Sequence, residues 1–250
     1  MTVSLRVCRY LLGLSIGITA NTNGMADILQ KIPMHSPYQA EYRVYWHGIY
    51  AANAYQSIEK IAKNRYIASM HVKPRLPFIP FEYDENSLFL DNNNGIKPLI
   101  FSFKSQEKNK HLDGWVTFNW KTGARTRHSA SQKDSPPIIL LPTSQDKISL
   151  VFQLSRYLEN KPSFAVGEQW SHQVIEAKKE KTYLFEYLQE EPLETPLGLL
   201  QTIKIKQQAQ QSLRHSYLWF AKDKDFALVK IAQFKDNQLI GYTVLNKIYP

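Results

Sequence analysis

Side chains able to act on a substrate or hold a metal are plentiful in this chain, and their spacing argues against both uses. The seven histidines stand at positions 35, 47, 71, 111, 128, 172 and 215, with no pair two or four residues apart. Zinc sites gather ligands at short spacing, so no metal site and no cofactor is expected. His71 and His215 fall in strand contexts, where a histidine is ordinarily a sheet residue with one nitrogen bonded. No serine occupies a Gly-x-Ser-x-Gly elbow, the turn that exposes a hydrolase nucleophile. The glycines at 48, 95, 114, 123, 167, 198 and 241 are isolated, which leaves no phosphate cradle. Carboxylates are harder to dismiss, because the acid and base of a glycosidase can come from distant strands. Glu41, Glu82, Asp84, Asp113 and Glu186 are the strand or strand-end candidates for a cell-wall or polysaccharide hydrolase. The simpler reading is solvated carboxylates balancing lysine, and Asp223 and Asp225 read as turn formers. A non-enzymatic protein is therefore expected.

The compartment is legible at the N-terminus. Arg6 and Arg9 precede a short apolar run over residues 10–20, and small-residue exits follow at Ala20 and Ala26. This is the pattern of a cleavable export signal over residues 1–26. The run is shorter than the roughly 20 apolar residues that cross a bilayer, so no integral membrane protein is expected. Cys8 is the only cysteine and lies inside this segment without the small residues that precede an acylated cysteine. The exported chain would hold no thiol, hence no disulfide and no thiol nucleophile. A periplasmic location follows. The formal net charge is +9, and removing Arg6 and Arg9 leaves +7. No block of five or six like charges occurs, so the surplus is spread over turn lysines, with an anionic envelope surface as the functional alternative. Nucleic acid is excluded as a partner by compartment and by the lack of any groove-reading motif.

A polar leader over 27–37 precedes a single β-rich domain over 38–250. Tyr38, Ala40, Tyr42, Val44 and Trp46 alternate with polar residues, which marks a half-buried strand. Further strands are expected near 49–61, 66–72, 81–90, 96–103 and 115–120, punctuated by turn residues such as Asn93, Asn94 and Gly95. Others follow near 170–177, 183–188, 199–206, 213–220, 227–234 and 239–248. Around the Thr195-Pro196-Leu197-Gly198 turn, Leu199, Gln201, Ile203 and Ile205 should share one face, and Thr202, Lys204 and Lys206 the wet one. The exception is a helix over 143–158, with Thr143 as N-cap and Asp146 three residues on. Asp146, Ser149, Gln153, Arg156 and Asn160 form one narrow polar stripe, read as the wet side. A helix apolar over the rest of its girth needs two burying surfaces. The fold expected is therefore all-β: a strongly curved antiparallel sheet or incomplete barrel with one long helix packed on its concave side.

Four segments, in order, resemble a known family. They are Trp46-His47-Gly48-Ile49-Tyr50-Ala51, Asp146-Lys147-Ile148-Ser149-Leu150, Glu194-Thr195-Pro196-Leu197-Gly198 and Leu218-Trp219-Phe220-Ala221. From Tyr38 onward the chain resembles the bacterial envelope family called domain of unknown function 3108. Phe226-Ala227-Leu228 stands where typical members carry a proline. The resemblance implies an exported, β-rich protein and supplies no catalytic residue and no cofactor. Three functions are compatible with it. The first is binding of a lipid or other apolar ligand between sheet and helix, in a half-barrel cavity lined by Val151, Phe152, Tyr157 and Trp219. The second is docking of another envelope component through a β edge or a basic face. The third is the hydrolase. An apolar cavity would favour the first, a solid core the second, and two carboxylates meeting in a cleft the third.

Overall fold

The computed structural model describes residues 37–75, 81–92, 94–107, 110–129, 138–176, 179–210 and 212–249. The expected export signal, residues 27–36 of the leader, and Pro77, Pro80, Pro136 and Pro137 lie outside them. The first half of the chain forms β1 (Tyr38–Trp46), β2 (Ile49–Ala62), β3 (Arg65–Pro74), β4 (Phe81–Asn92), β5 (Gly95–Glu107), β6 (Lys110–Asn119), β7 (Ala124–Ser129) and β8 (Ile138–Ile139). After β9 (Gln145–Asp146) comes the helix α1 (Lys147–Asn160). The second half forms β10 (Gln169–Ile175), β11 (Glu180–Thr195), β12 (Gly198–Ala209), β13 (Arg214–Ala221), β14 (Ala227–Lys235) and β15 (Gln238–Tyr249).

Among the described residues these strands make one open sheet. Each strand pairs with the next in two antiparallel meanders, and β1 against β15 joins them. The outer edges are the two-residue strands β8 and β9, with β9 parallel to β10. Short edges of this kind offer little backbone for unwanted pairing. Tight hairpins hold the meanders in register. His47 and Gly48, like Asp236 and Asn237, both take positive φ, the conformation whose twist matches two-residue antiparallel hairpins.

The fold class read from the sequence is the one observed. α1 lies on the concave side, against β3, β4 and β5 of one meander and β10 and β14 of the other. Phe152 and Ile148 join Phe89, Phe101 and Val116 in one core cluster. Leu150, Leu154 and Leu158 join Phe185, Ile205, Leu218 and Phe220 in a second. No residue of α1 is exposed, so the helix is the shared core of both halves.

Three local expectations are corrected. The N-cap is Asp146, not Thr143: its carboxylate accepts from the backbone N–H groups of Ile148 and Ser149, both at 2.8 Å, and Ser149 Oγ accepts from the Asp146 N–H at 3.0 Å. Serine completes this capping box where glutamate is commoner. The polar stripe is not wet, because Asp146, Ser149 and Arg156 are buried against β4 and β5. Beside the 195–198 turn burial departs from the expected face, with Leu199 59% exposed and Leu200 and Thr202 buried, whereas Ile203 and Ile205 farther along are buried as expected. There the tip of the β11–β12 hairpin packs Leu193, Leu197 and Leu200 into a third cluster with Trp219 and Val229. Strand β7, over residues 124–129, was not expected at all.

Candidate functional site

The two faces of each strand decide what the expected site residues can do, so each is placed by its neighbours. Phe152 is 1% exposed, its ring 5.6 Å from Phe89 and 6.5 Å from Tyr38. Val151 and Tyr157 pack, partly buried, on the other cluster. The Tyr157 ring lies 4.8 Å from Trp170 and 5.7 Å from Phe164. Phe152 and Tyr157 thus pack in two separate aromatic groups, one in each core cluster. Trp219 is not brought to the helix. Leu218 and Phe220, its neighbours in β13, join the cluster of Leu150, Leu154 and Leu158, and side chains alternate along a strand. Trp219 therefore points to the outer face, where its indole N–H donates to Glu191 at 2.6 Å.

Polar contacts fix the helix on both flanks. Ser87 Oγ of β4 donates to the Asp146 carboxylate at 2.6 Å. The Ile96 N–H donates to Gln153 Oε1 at 2.8 Å, and the Ile96 carbonyl accepts from Gln145 Nε2 at 2.8 Å. Two glutamine side chains thus satisfy the backbone of β5 where no strand does. Arg156 pairs with Asp91, and Ser155 Oγ donates to the Phe226 carbonyl of the other meander at 2.8 Å.

Beside the N-terminus of α1 lie two similar triads that the sequence reading missed. In the first, Lys147 and Tyr83 both engage the Glu85 carboxylate, which is buried. In the second, Lys181 meets Glu176 at 2.5 Å and the Tyr183 hydroxyl donates to Glu176 at 3.2 Å. The triads feel each other. Burial raises the pKa of Glu85, Lys147 opposes it, and the Glu176 charge adds to the rise. Burial likewise lowers the pKa of Lys181 against the pull of Glu176. Inward-pointing polar residues at 83, 85 and 87 were visible as an alternation, but their partners lie far along the chain.

Each carboxylate is engaged by its own cation, Glu85 buried and Glu176 half-buried, an arrangement that fastens a core. The expected hydrolase candidates are elsewhere. Asp84 bonds His71 Nδ1 at 2.6 Å on the outer face and stands in register with Lys104, which in turn faces Asp113. Glu41 faces Lys247, and Glu186 faces Lys206. Each described candidate thus stands beside a basic side chain on the sheet, Asp84 and Asp113 on either side of Lys104. The Glu82 side chain lies outside the described ones. No group of three or more metal-ligating side chains occurs among the described residues, and none of their helices is long and apolar enough to cross a membrane. A cleft lined by Tyr183, Gln207, Arg214, Ser216 and Gln233 encloses about 20 Å³, room for one water and not for an acyl chain.

Three solved structures are similar in outline. One is a protein of Parabacteroides distasonis provisionally described as a lipoprotein, 12% identical, covering 87% of this chain and 97% of that one at a TM-score of 0.39. Another is a protein of Bacteroides fragilis with a YmcC-like fold, provisionally described as exported, at 9% identity, 87% and 98% coverage and a TM-score of 0.39. The third is a DUF1089 family protein of Pseudomonas aeruginosa, at 8% identity, 70% and 87% coverage and a TM-score of 0.40. Likeness at this level bears on neither activity nor ligand. No curated protein matches the chain. The family described as a protein of unknown function, DUF3108, matches residues 41–240, Glu41 in the first strand to Ile240 in the last, and the chain belongs to that family.

Proposed function

We propose that this chain is an exported, non-catalytic envelope protein that works by docking through the outer surface of its sheet, with the helix-filled concavity as rigid core. One observation carries the reading: α1 has no exposed residue, and Phe152, Leu154 and Leu158 are at most 1% exposed on two sides of it. That burial supports a packed contact between sheet and helix in place of a lipid chamber. The apolar-ligand chamber lined by Val151, Phe152, Tyr157 and Trp219 loses support on the same ground. The N-terminal pattern of residues 1–26 supports export.

Substitution of Val151 tests this. In a filled core, Val151→Trp overpacks and destabilises by about 1 to 3 kcal/mol, and neither protein takes up a fluorescent fatty-acid probe. Saturable probe binding by the wild type that Val151→Trp abolishes would restore the chamber.

A further inference from the structure

The outer face carries a charge pattern that neither the family nor the core explains. Four cations share one cross-strand row: Lys204 on β12, Lys230 on β14, Arg43 on β1 and Lys73 on β3. Between them, in register, stand Trp219, Val244 and Asn53. Positive charge thus recurs on every second strand. Adjacent strands lie about 4.8 Å apart, so the charges fall about 10 Å apart along a line.

A second row runs beside the first, two residues along each strand except β2, where a bulge makes the step three. Tyr217, Tyr242, Tyr45 and Tyr50 stand in it, with Ala232 between the first two. The Tyr45 ring stacks on Tyr242 at 4.6 Å and on Tyr50 at 5.3 Å. Three of the four row cations lie against aromatic rings, Arg43 5.9 Å from Tyr50. Lys204 lies 5.1 Å from both the Tyr217 and Trp219 rings, Lys230 lies 5.1 Å from Trp219 and 5.5 Å from Tyr242, and Arg75 lies 4.2 Å from Tyr50. Those three charges are therefore positioned before any partner arrives. Among the described side chains few acids balance them. Glu191 lies 3.3 Å from Lys204 at one end, and Glu41 shares β1 with Arg43, where it bonds Asn246 at 3.1 Å and Lys247 at 3.9 Å. Burial, with the Lys204 charge adding to it, lowers the pKa of Lys230 despite Glu191.

We propose that this double row binds an extended anionic polysaccharide carrying one charge per disaccharide, a proposal that rests on the docking reading. Two linked sugars have about the length that separates successive cations, and the hydroxyls of the stacked tyrosines beside them suit sugar hydroxyls as hydrogen-bond partners. The pattern fits other polyanions poorly. A nucleic-acid strand carries a charge about every 3.4 Å, three times too dense. A bilayer presents a two-dimensional field, whereas these cations form a line and Lys204 is only 22% exposed, within reach of a chain lying on the sheet.

Calorimetric titration with hyaluronate oligosaccharides, linear and with one carboxylate per disaccharide, tests it. Expected is binding that weakens with salt. Arg43→Gln with Lys230→Gln should lower affinity about tenfold or more. Lys73→Gln, at an exposed position, should reduce the salt slope by about one unit without touching the fold. Tyr242→Ala should weaken binding and leave that slope unchanged. No binding at low salt, binding indifferent to Lys73→Gln and Arg43→Gln, or binding to phosphatidylglycerol vesicles in preference to hyaluronate would each overturn the proposal. A ligand-free protein that ignores hyaluronate loses this site and keeps the docking reading. A protein that binds hyaluronate yet carries an acyl chain in its core keeps the site and loses that reading.

Discussion

His172 and Asp146 give single residues opposite effects on stability as the pH changes. The imidazole is buried, with Nδ1 3.1 Å from the Thr143 carbonyl, and burial lowers its pKa from 6.5 to about 4 despite that bond. Below pH 6.5 the unfolded chain takes up a proton that the folded state refuses, so stability falls as the pH drops toward 4. Asp146 works the other way. Burial raises it from 3.8 to about 6 against the hydrogen bonds from Ser87, Ser149 and Ile148, so its contribution is lost as the pH rises between those values. Comparing denaturant melts of the wild type with His172→Gln from pH 7 to 4 isolates the histidine. Relative to the variant, the wild type should lose up to about 3 kcal/mol by pH 4. Parallel curves would mean that His172 is charged or solvated in the fold. The buried triads make a second prediction: Lys147→Met strands the Glu85 carboxylate and should cost about 3 to 5 kcal/mol. A loss under about 1 kcal/mol would show that Glu85 reaches water.

For the helix, the consequential difference lies in its polar stripe. Phe152→Ala should cost about 3 to 5 kcal/mol, as for any large side chain removed from a packed core. Gln153 looks like a surface residue by sequence, and a surface change would stay within about 0.5 kcal/mol. Because Gln153 accepts the Ile96 N–H, Gln153→Ala should instead cost about 1 to 3 kcal/mol by leaving that donor unpaired. A melt unchanged by Gln153→Ala would show that water replaces the glutamine. The helical period and the need for two burying surfaces were legible in the sequence. What faces the stripe was not, since Ser87 and Ile96 lie 59 and 57 residues from their partners, and only the tertiary fold brings them there. Trp219 was illegible for a different reason. Both it and Leu218 are buried, so alternation shows two faces without saying which one holds the helix.

In the whole molecule, two meanders meet at β1 and β15, and one helix is stapled to both. Ser87, Ile96 and Asp91 hold it from one side and Phe226 from the other. The alternation of Tyr38, Ala40, Tyr42 and Val44 announced the strand that later became the seam. The closing contact could not be read, because Glu41 and its partner Lys247 stand at opposite ends of the described chain. The docking reading puts function on the outer surface of the sheet, opposite α1. The most direct test is the native mass of the protein gently extracted from its own envelope. A mass equal to the polypeptide alone, and a melting temperature unchanged by delipidation, is the expected result. A bound acyl-chain molecule whose removal lowers the melting temperature by mass action would contradict it.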